Sequence, residues 1–420
     1  MIRATRTQWI KFAVVLALYL IFLVWLRSWL GLVVVPFIFD AYITKKIPWT
    51  WWRKSKNRHV VTVMGWVDAI VFALVAVYFV NLYFFQNYVI PSSSLEKSLL
   101  TGDYLFVSKM SYGPRVPQTP LHMPLAQHTL PFFNCKSYLE HPQWDYKRVK
   151  GLGDVQLNDI VVFNFPAGDT VATGVPNDDI YRLSYGAGKE LAKPVDLASM
   201  TPEQQRVVYD YYYQLGREYL KENPQNFGEI ISRPVDRREN YVKRCVGLPG
   251  QTLEIKDRII YLDGKANKEP DNVQYRYLVK TKRPIPDDLA HELGISKEDM
   301  MMYYTDASVY NMPLTEKAKA GLLARKDIVV SIENTPADDA GGLYPLNMYK
   351  NWTTDNYGPV WIPKKGETVK LTIENLPVYE RPIHVYEGNE LAVKDGKIYI
   401  NGKETDEYTF KMDYYWICLL

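Results

Sequence analysis

Apolar residues run almost unbroken from Trp9 to Leu26, interrupted by Lys11, and stop at Arg27 and Ser28. A run of this length is about enough for one bilayer crossing. The following "WLGLVVVPFIF" is short for a crossing of its own. It reads as a re-entrant piece or a tilted continuation kinked at Pro36. A second apolar stretch covers Val60 to Phe85, with Asp68 near its start, so the fully apolar part is Ala69 to Phe85. Between the two lies "TKKIPWTWWRKSKNRH", which carries Lys45, Lys46, Arg53, Lys54, Lys56 and Arg58 and no acid. A short basic loop predicts the cytoplasmic side, and its tryptophans suit the interface. The chain would then run outward from Val60, with Asp68 near the cytoplasmic interface and everything after Phe85 outside.

Beyond Phe85 the pattern changes to period two. "DYLFVSKMSY", "DIVVFNF", "NYVKRCVGL", "QTLEIKDRIIYLDGK" and "GKIYINGK" alternate or are rich in β-branched and aromatic residues, which predicts strands. Helices are fewer. Thr201-Pro202-Glu203-Gln204 has the form of an N-cap, an N1 proline and a capping box. Val208, Tyr212, Leu215 and Tyr219 then share a face, and Asn223-Pro224 ends the helix. Two short helices are expected near Pro286 to Leu293 and Thr315 to Ala324. The stretch Leu253 to Lys265 echoes Leu391 to Lys403, each reading as a β-hairpin with an Asp-Gly or Asn-Gly turn. They bracket roughly Ala266 to Tyr386, which reads as a separate lobe.

Composition narrows the classes. Of 420 residues, 47% are hydrophobic and 23% charged, which excludes a disordered chain. A net charge of +3 leaves no basic footprint for nucleic acid. Cys135, Cys245 and Cys418 are too few and too far apart for a disulfide framework or a paired-cysteine metal site. The six histidines show no metal-binding spacing. No metal or organic cofactor is implied.

The segment "NYVIPSSSLEKSLLTGDYLFVSKMSYG" carries candidate chemistry. A serine hydroxyl is a poor nucleophile until a base takes its proton. With no histidine motif at hand, the remaining base is a lysine made neutral by burial. In "NYVKRCVGLPG", strand alternation puts Tyr241, Lys243, Cys245 and Gly247 on one side and Val242, Arg244 and Val246 on the other. Lys243 thus has neighbours able to desolvate it. Lys109 shares a strand face with Leu105 and Val107 and is a rival on pattern alone. The bland alternative for Lys243 is a strand-edge lysine with its head in water.

Four stretches, in order, resemble bacterial type I signal peptidases (leader peptidases). "IPSSSLEKSL" is similar to the Ser-x-Ser-Met-x-Pro-Thr-Leu box, and "GDYLFVSKMSYG" to the strand after it. "NDIVVFNFP" is similar to the Gly-Asp-Ile-Val-Val-Phe box, and "YVKRCVGLPGQTLEI" to the Lys-Arg-x-Val-Gly-x-Pro-Gly-Asp box. The resemblance implies a membrane-anchored, mainly β signal-peptidase-like fold with N-terminal transmembrane helices and inserted α segments. It implies Ser94 as nucleophile, Lys243 as general base, and Ser92 beside the Ser94 backbone N–H in the oxyanion hole. Leu95 would be an apolar wall for substrate. Ser93 is expected to be plain turn chemistry. Implied partners are membrane lipid and exported preproteins with Ala-x-Ala-type signal peptides, at the bacterial cytoplasmic (inner) membrane, with several passes and the catalytic domain outside.

The sequence departs from the family at Leu95, where Met is usual, and at Lys97, where proline is usual. The last family box, Gly-Asp-Asn-Arg-x-x-Ser-x-Asp-Ser, does not occur, and "YTFKMDYYW" is followed by "ICLL". This reads as a truncated end, and it raises a second expectation: a catalytically inactive, membrane-anchored signal-peptide-binding protein. A self-cleaving repressor-type Ser-Lys domain fits poorly beside the apolar runs. The expected organisation is a membrane segment and basic loop (1–59), a transmembrane helix (60–85), catalytic core (86–166 and 240–265), an insertion (167–239), an insertion or cap lobe (266–386), and a return hairpin with the truncated end (387–420).

Overall fold

The structure is a computed structural model and describes residues 4–91, 95, 98–130, 132–133, 135–165, 170–176, 178–301, 304–306, 308–336, 343–346 and 352–418. It divides into two compact units: 1–89, 104–154 and 234–238 form one, and 90–103, 155–233 and 239–420 the other.

In the first unit, α1 (Arg6–Leu26) starts at a Thr5–Gln8 capping box and α2 spans Arg58–Tyr83. Both have the length and hydropathy of bilayer-crossing helices. Their last turns meet: Phe22 near the end of α1 contacts Phe79 and Tyr83 near the end of α2, with ring centroids 5.2 Å apart in each case. The piece between them neither extends α1 nor kinks at Pro36. Arg27 adopts φ 50° as the α1 C-cap, and the chain turns there. A 3-10 turn (Leu30–Val34), a short helix (Val35–Phe39) and a π turn (Asp40–Thr44) then run back along α1. Pro36 sits in the first turn of the short helix, where its missing N–H costs nothing. Asp68 meets Arg53 of the basic loop at 3.5 Å, both side chains more than half exposed. The α2 helix stops at Tyr83. Phe85 already belongs to β1 (Phe85–Val89), which pairs antiparallel with β2 (Tyr104–Ser108). The strand expected through Lys109 ends one residue earlier, although the Lys109 N–H still donates to the Phe84 carbonyl at 2.7 Å.

The second unit is strand-rich. β3 (Ile160–Asn164) and β4 (Asn240–Gly247) pair antiparallel, and the far side of β4 is taken by a last strand, Trp416–Cys418. Between β3 and β4 lie α3 (Ile180–Leu191) and α4 (Pro202–Glu222). α4 begins at the expected Thr201–Gln204 capping box. Its packed face runs through Tyr212, Gly216 and Leu220, with Leu215 and Tyr219 only half-buried. α3 was not legible as a helix, since "YRLSYGAGKE" is polar and glycine-rich. The two helices cross at their glycines: a Cβ on Gly188 would lie 1.8 Å from the Tyr212 carbonyl oxygen, and one on Gly216 1.7 Å from that of Ser184.

After β4 the chain forms β5 (Thr252–Lys256) and β6 (Ile259–Leu262), continued by Lys265–Ala266. The repeat near the end has the same plan, with Leu391–Lys394, Lys397–Ile400 and Lys403–Glu404. Each copy is thus two hairpins in a row rather than the expected one. The turns Asp257–Arg258, Asp263–Gly264, Asp395–Gly396 and Asn401–Gly402 all carry two positive φ angles, the form that matches strand twist. Tyr275–Thr281, Val309–Leu314 and Val329–Asn334 form another sheet, covering a core of Val279, Met312, Leu322 and Ile328. Tyr357–Trp361 instead pairs with β5 and, with Leu376 and Ile383, joins the core of Leu253, Ile260 and Phe410. The short helices Asp287–Glu292 and Glu316–Ala324 fall where the sequence predicts them.

Candidate active site

Lys243 lies within β4 and is paired on its β3 side. Its Cα partner on β3 is Val161, while Ile417 and Cys418 oppose Cys245 and Arg244 from the other side. β4 is the middle strand of its sheet from Arg244 to Gly247, and Lys243 stands at the end of that doubly paired stretch. Lys243 is half-buried, and the strand is fully buried from Arg244 to Gly247. Of its expected same-side neighbours, Cys245 has no exposed surface, and burial raises its thiol pKa. Tyr241 stacks on Phe165 at 4.8 Å, and its hydroxyl pKa is also raised by burial.

The described residues on either side of the serines close a neck in the same unit. There the Ile90 N–H donates to the Asp103 carbonyl at 3.0 Å, and the Gly102 N–H to the Ile90 carbonyl at 2.9 Å. The Asp103 carboxylate accepts the Leu100 N–H at 2.8 Å. Leu95 is 3% exposed, and its carbonyl accepts the N–H groups of Ser98 and Leu99 at 3.0 and 2.8 Å. The loop is thus pinned at its neck and anchored inward by one apolar side chain. Ser92, Ser93, Ser94, Glu96 and Lys97 lie outside the described residues.

Arg244 ties this loop to the lysine strand. Its guanidinium donates to the Ser98 hydroxyl at 3.0 Å and to the Asn158 carbonyl at 2.8 Å. Arg244 adjoins Lys243, and Ser98 is four residues beyond Ser94. Asn158, at φ 69°, in turn donates its N–H to the Cys245 carbonyl at 2.7 Å. Sequence reasoning missed both Arg244 and Ser98 as a linking pair. The signal available was a buried-strand arginine, which needs a polar partner somewhere.

Lys109 lies in the other unit. Burial, followed by the charges of Arg115 and Arg148, lowers its pKa to about 8. Its ammonium sits 5.9 Å from the Tyr88 ring centroid. Among the described residues, no three His, Cys, Asp or Glu side chains gather as metal ligands would.

A family model described as signal peptidase, peptidase S26, matches residues 63–303, more than half of the chain. The chain belongs to the signal peptidase S26 family. The S26 match takes in most of α2, the serine loop, β3 and β4. Signal peptidase I of Helicobacter pylori is 42% identical over 56 residues, covering 13% of this chain and 18% of that protein. Signal peptidase I P of Bacillus subtilis subsp. natto is 27% identical over 103 residues, 24% of this chain and 52% of the relative. Signal peptidase I of Rickettsia prowazekii is 24% identical over 165 residues, 36% of this chain and 56% of the relative. The chain therefore spans at most about half the length of these S26 relatives. No solved structure matches it.

Proposed function

We propose that this chain is a membrane-anchored serine endopeptidase that removes signal peptides from exported preproteins with a Ser94–Lys243 dyad. The observation that carries the reading is the Arg244–Ser98 hydrogen bond, which ties the serine loop to the strand position next to Lys243. Family membership and relatives named signal peptidase I support the substrate class.

The chemistry follows from the residue types. Neutral Lys243 Nζ takes the Ser94 hydroxyl proton as Oγ attacks the scissile carbonyl carbon. Charge on the resulting oxyanion is met by the Ser94 backbone N–H and the Ser92 hydroxyl, and one such donor is typically worth ~3 kcal/mol. The Lys243 ammonium then protonates the leaving amine as the C–N bond breaks. Water hydrolyses the Ser94 ester, with Lys243 again as base. Leu95, being buried, holds its loop from within rather than forming the expected apolar wall for substrate. An extended Ala-x-Ala segment would pair its backbone with a strand and offer alternate side chains to shallow pockets.

In this reading α1 and α2 are the membrane anchor, at the bacterial cytoplasmic membrane, with the basic loop inside and the second unit outside. Ser94 lies nine residues beyond Phe85, at most ~30 Å of extended chain, so the nucleophile stays close to the bilayer surface. Residues 86–166 and 240–265 belong to the catalytic core and 167–239 is an insertion; of the expected cap at 266–386, the part from Tyr357 on packs with the core strand β5 instead. Purified in detergent with a preprotein bearing an Ala-x-Ala site, the chain is expected to cleave it. Ser94→Ala and Lys243→Ala are each expected to lower the rate by ~10³-fold or more. Lys109→Met is expected to keep cleavage; its loss there, with cleavage retained in Lys243→Ala, would move the base to Lys109.

A further inference from the structure

The short apolar piece between α1 and the basic loop has a direction, and that direction sets how the chain threads a bilayer. Near its beginning, the Tyr19 hydroxyl donates to the Gly31 carbonyl at 2.7 Å. Near its end, Phe39 meets Phe12 and Trp9 of α1, with ring centroids 5.4 and 6.3 Å apart. The piece therefore descends along α1 from its last turns to its first. Gly31 permits the close contact, since a Cβ there would lie 2.1 Å from Leu23 Cδ2.

Its lower end is built as a turn into the basic loop. Asp40 is 7% exposed. Its carboxylate accepts the Lys46 and Ile47 N–H groups at 2.8 and 3.1 Å and the Trp49 indole N–H at 3.1 Å, and also the Thr44 hydroxyl. A buried acid fully occupied by backbone and side-chain donors is a structural cap rather than a stray charge. The loop then packs on the start of α2, where Trp52 is buried over Gly65. The first turns of α1 and of α2 are thus at the same end as the basic loop, and their last turns are together at the other.

Away from α1, the returning piece shows apolar side chains outward: Trp29, Leu30 and Val33 are exposed at 83%, 69% and 67%. This face continues the exposed apolar surfaces of α1 and α2, which include Val24 and Phe72. We propose that the face of Trp29–Phe39 contacts lipid hydrocarbon, so that the chain crosses the bilayer three times before β1: out through α1, back through Leu30–Thr44, and out again through α2. The proposal rests on the anchoring reading above. At helical rise, Trp29 to Thr44 covers ~25 Å, short of the ~30 Å hydrocarbon core by an amount that local thinning accommodates. Charge supports the same threading. Arg3, Arg6 and Lys11 flank or open α1, the basic loop carries six Lys or Arg from Lys45 to Arg58, and the upper turn holds only Arg27. With three crossings both basic segments lie on the inner side, as the charge bias of membrane proteins requires. With two crossings they would face opposite sides.

The test is labelling of the full chain by a membrane-impermeant maleimide in intact spheroplasts. Cys135 is exposed and Cys245 buried. Wild-type labelling at Cys135 checks the anchoring orientation; single probes then go into a Cys135→Ser, Cys418→Ser background. Ser28→Cys is expected to label from outside, with Arg27→Cys as a second probe. Ala4→Cys and Ser55→Cys should label only after permeabilisation. Ala4→Cys labelled in intact spheroplasts, with both upper-turn probes protected, would overturn the third crossing. Ser55→Cys labelled from outside would overturn the anchoring reading, and this proposal with it. A photo-crosslinking residue at Val33 should yield lipid adducts. Adducts to a second copy or to another protein instead would overturn the lipid assignment.

Discussion

Two lysines divide the chemistry at the residue scale. At Lys109 the fold penalises the charge. Its folded pKa of about 8 lies below the ordinary 10.5 because burial disfavours the ammonium. The folded chain therefore binds fewer protons at this site than the unfolded chain between those two values. The penalty is fully present below about 8 and is relieved as pH rises toward 10.5. Lys109→Met should raise stability at pH 7 by ~1–3 kcal/mol, discounted for the partial exposure of the side chain. The gain should shrink steadily above pH 8, as read by denaturant melts across pH. Arg244 is the residue that links rather than reacts. Arg244→Met should lower kcat by ~10²-fold with KM little changed, because a loop displaced by an ångström loses the attack geometry. A fall in KM-controlled rate alone would argue against that role. The alternation of "NYVKRCVG" was enough to give Lys243 two desolvating neighbours. It was not enough to decide between Lys243 and Lys109, because desolvation depends on what covers the strand. The Arg244–Ser98 bond joins positions 146 apart in sequence, and no local pattern carries it.

At the scale of elements, what local chemistry specifies was readable. The Thr201 capping box starts α4, Thr315 caps Glu316–Ala324, and the Asp-Gly and Asn-Gly pairs turn the late hairpins. The turn at Asp257–Arg258 was missed because it reaches positive φ without glycine. α3 was missed because its value lies in a contact: its glycine and serine let α4 approach to backbone distance. Gly216→Ala should therefore destabilise this helix pair by ~2 kcal/mol or more, although alanine is the better helix former in isolation. Loss of α-helical signal at lower temperature in circular dichroism would show it; an unchanged melt would contradict the close crossing. Hydropathy left Leu30–Thr44 open between a re-entrant piece and a continuation of α1, because it reports length and composition but not direction.

Across the whole molecule, the period change from apolar helix to alternating strand was plain in the sequence, and so was the strand-rich second unit. The two-unit division was not, since residues 234–238 belong to the first unit while their neighbours on both sides belong to the second. What the pieces amount to rests on the serine loop held to the lysine strand, in a chain of the signal peptidase S26 family. The most direct test is cleavage of an Ala-x-Ala preprotein in detergent by the chain and by its Ser94→Ala form. The account predicts a signal-peptide-sized shift that Ser94→Ala abolishes. A preprotein that binds but stays uncut with the unaltered chain, or one cut equally well by Ser94→Ala, would contradict it.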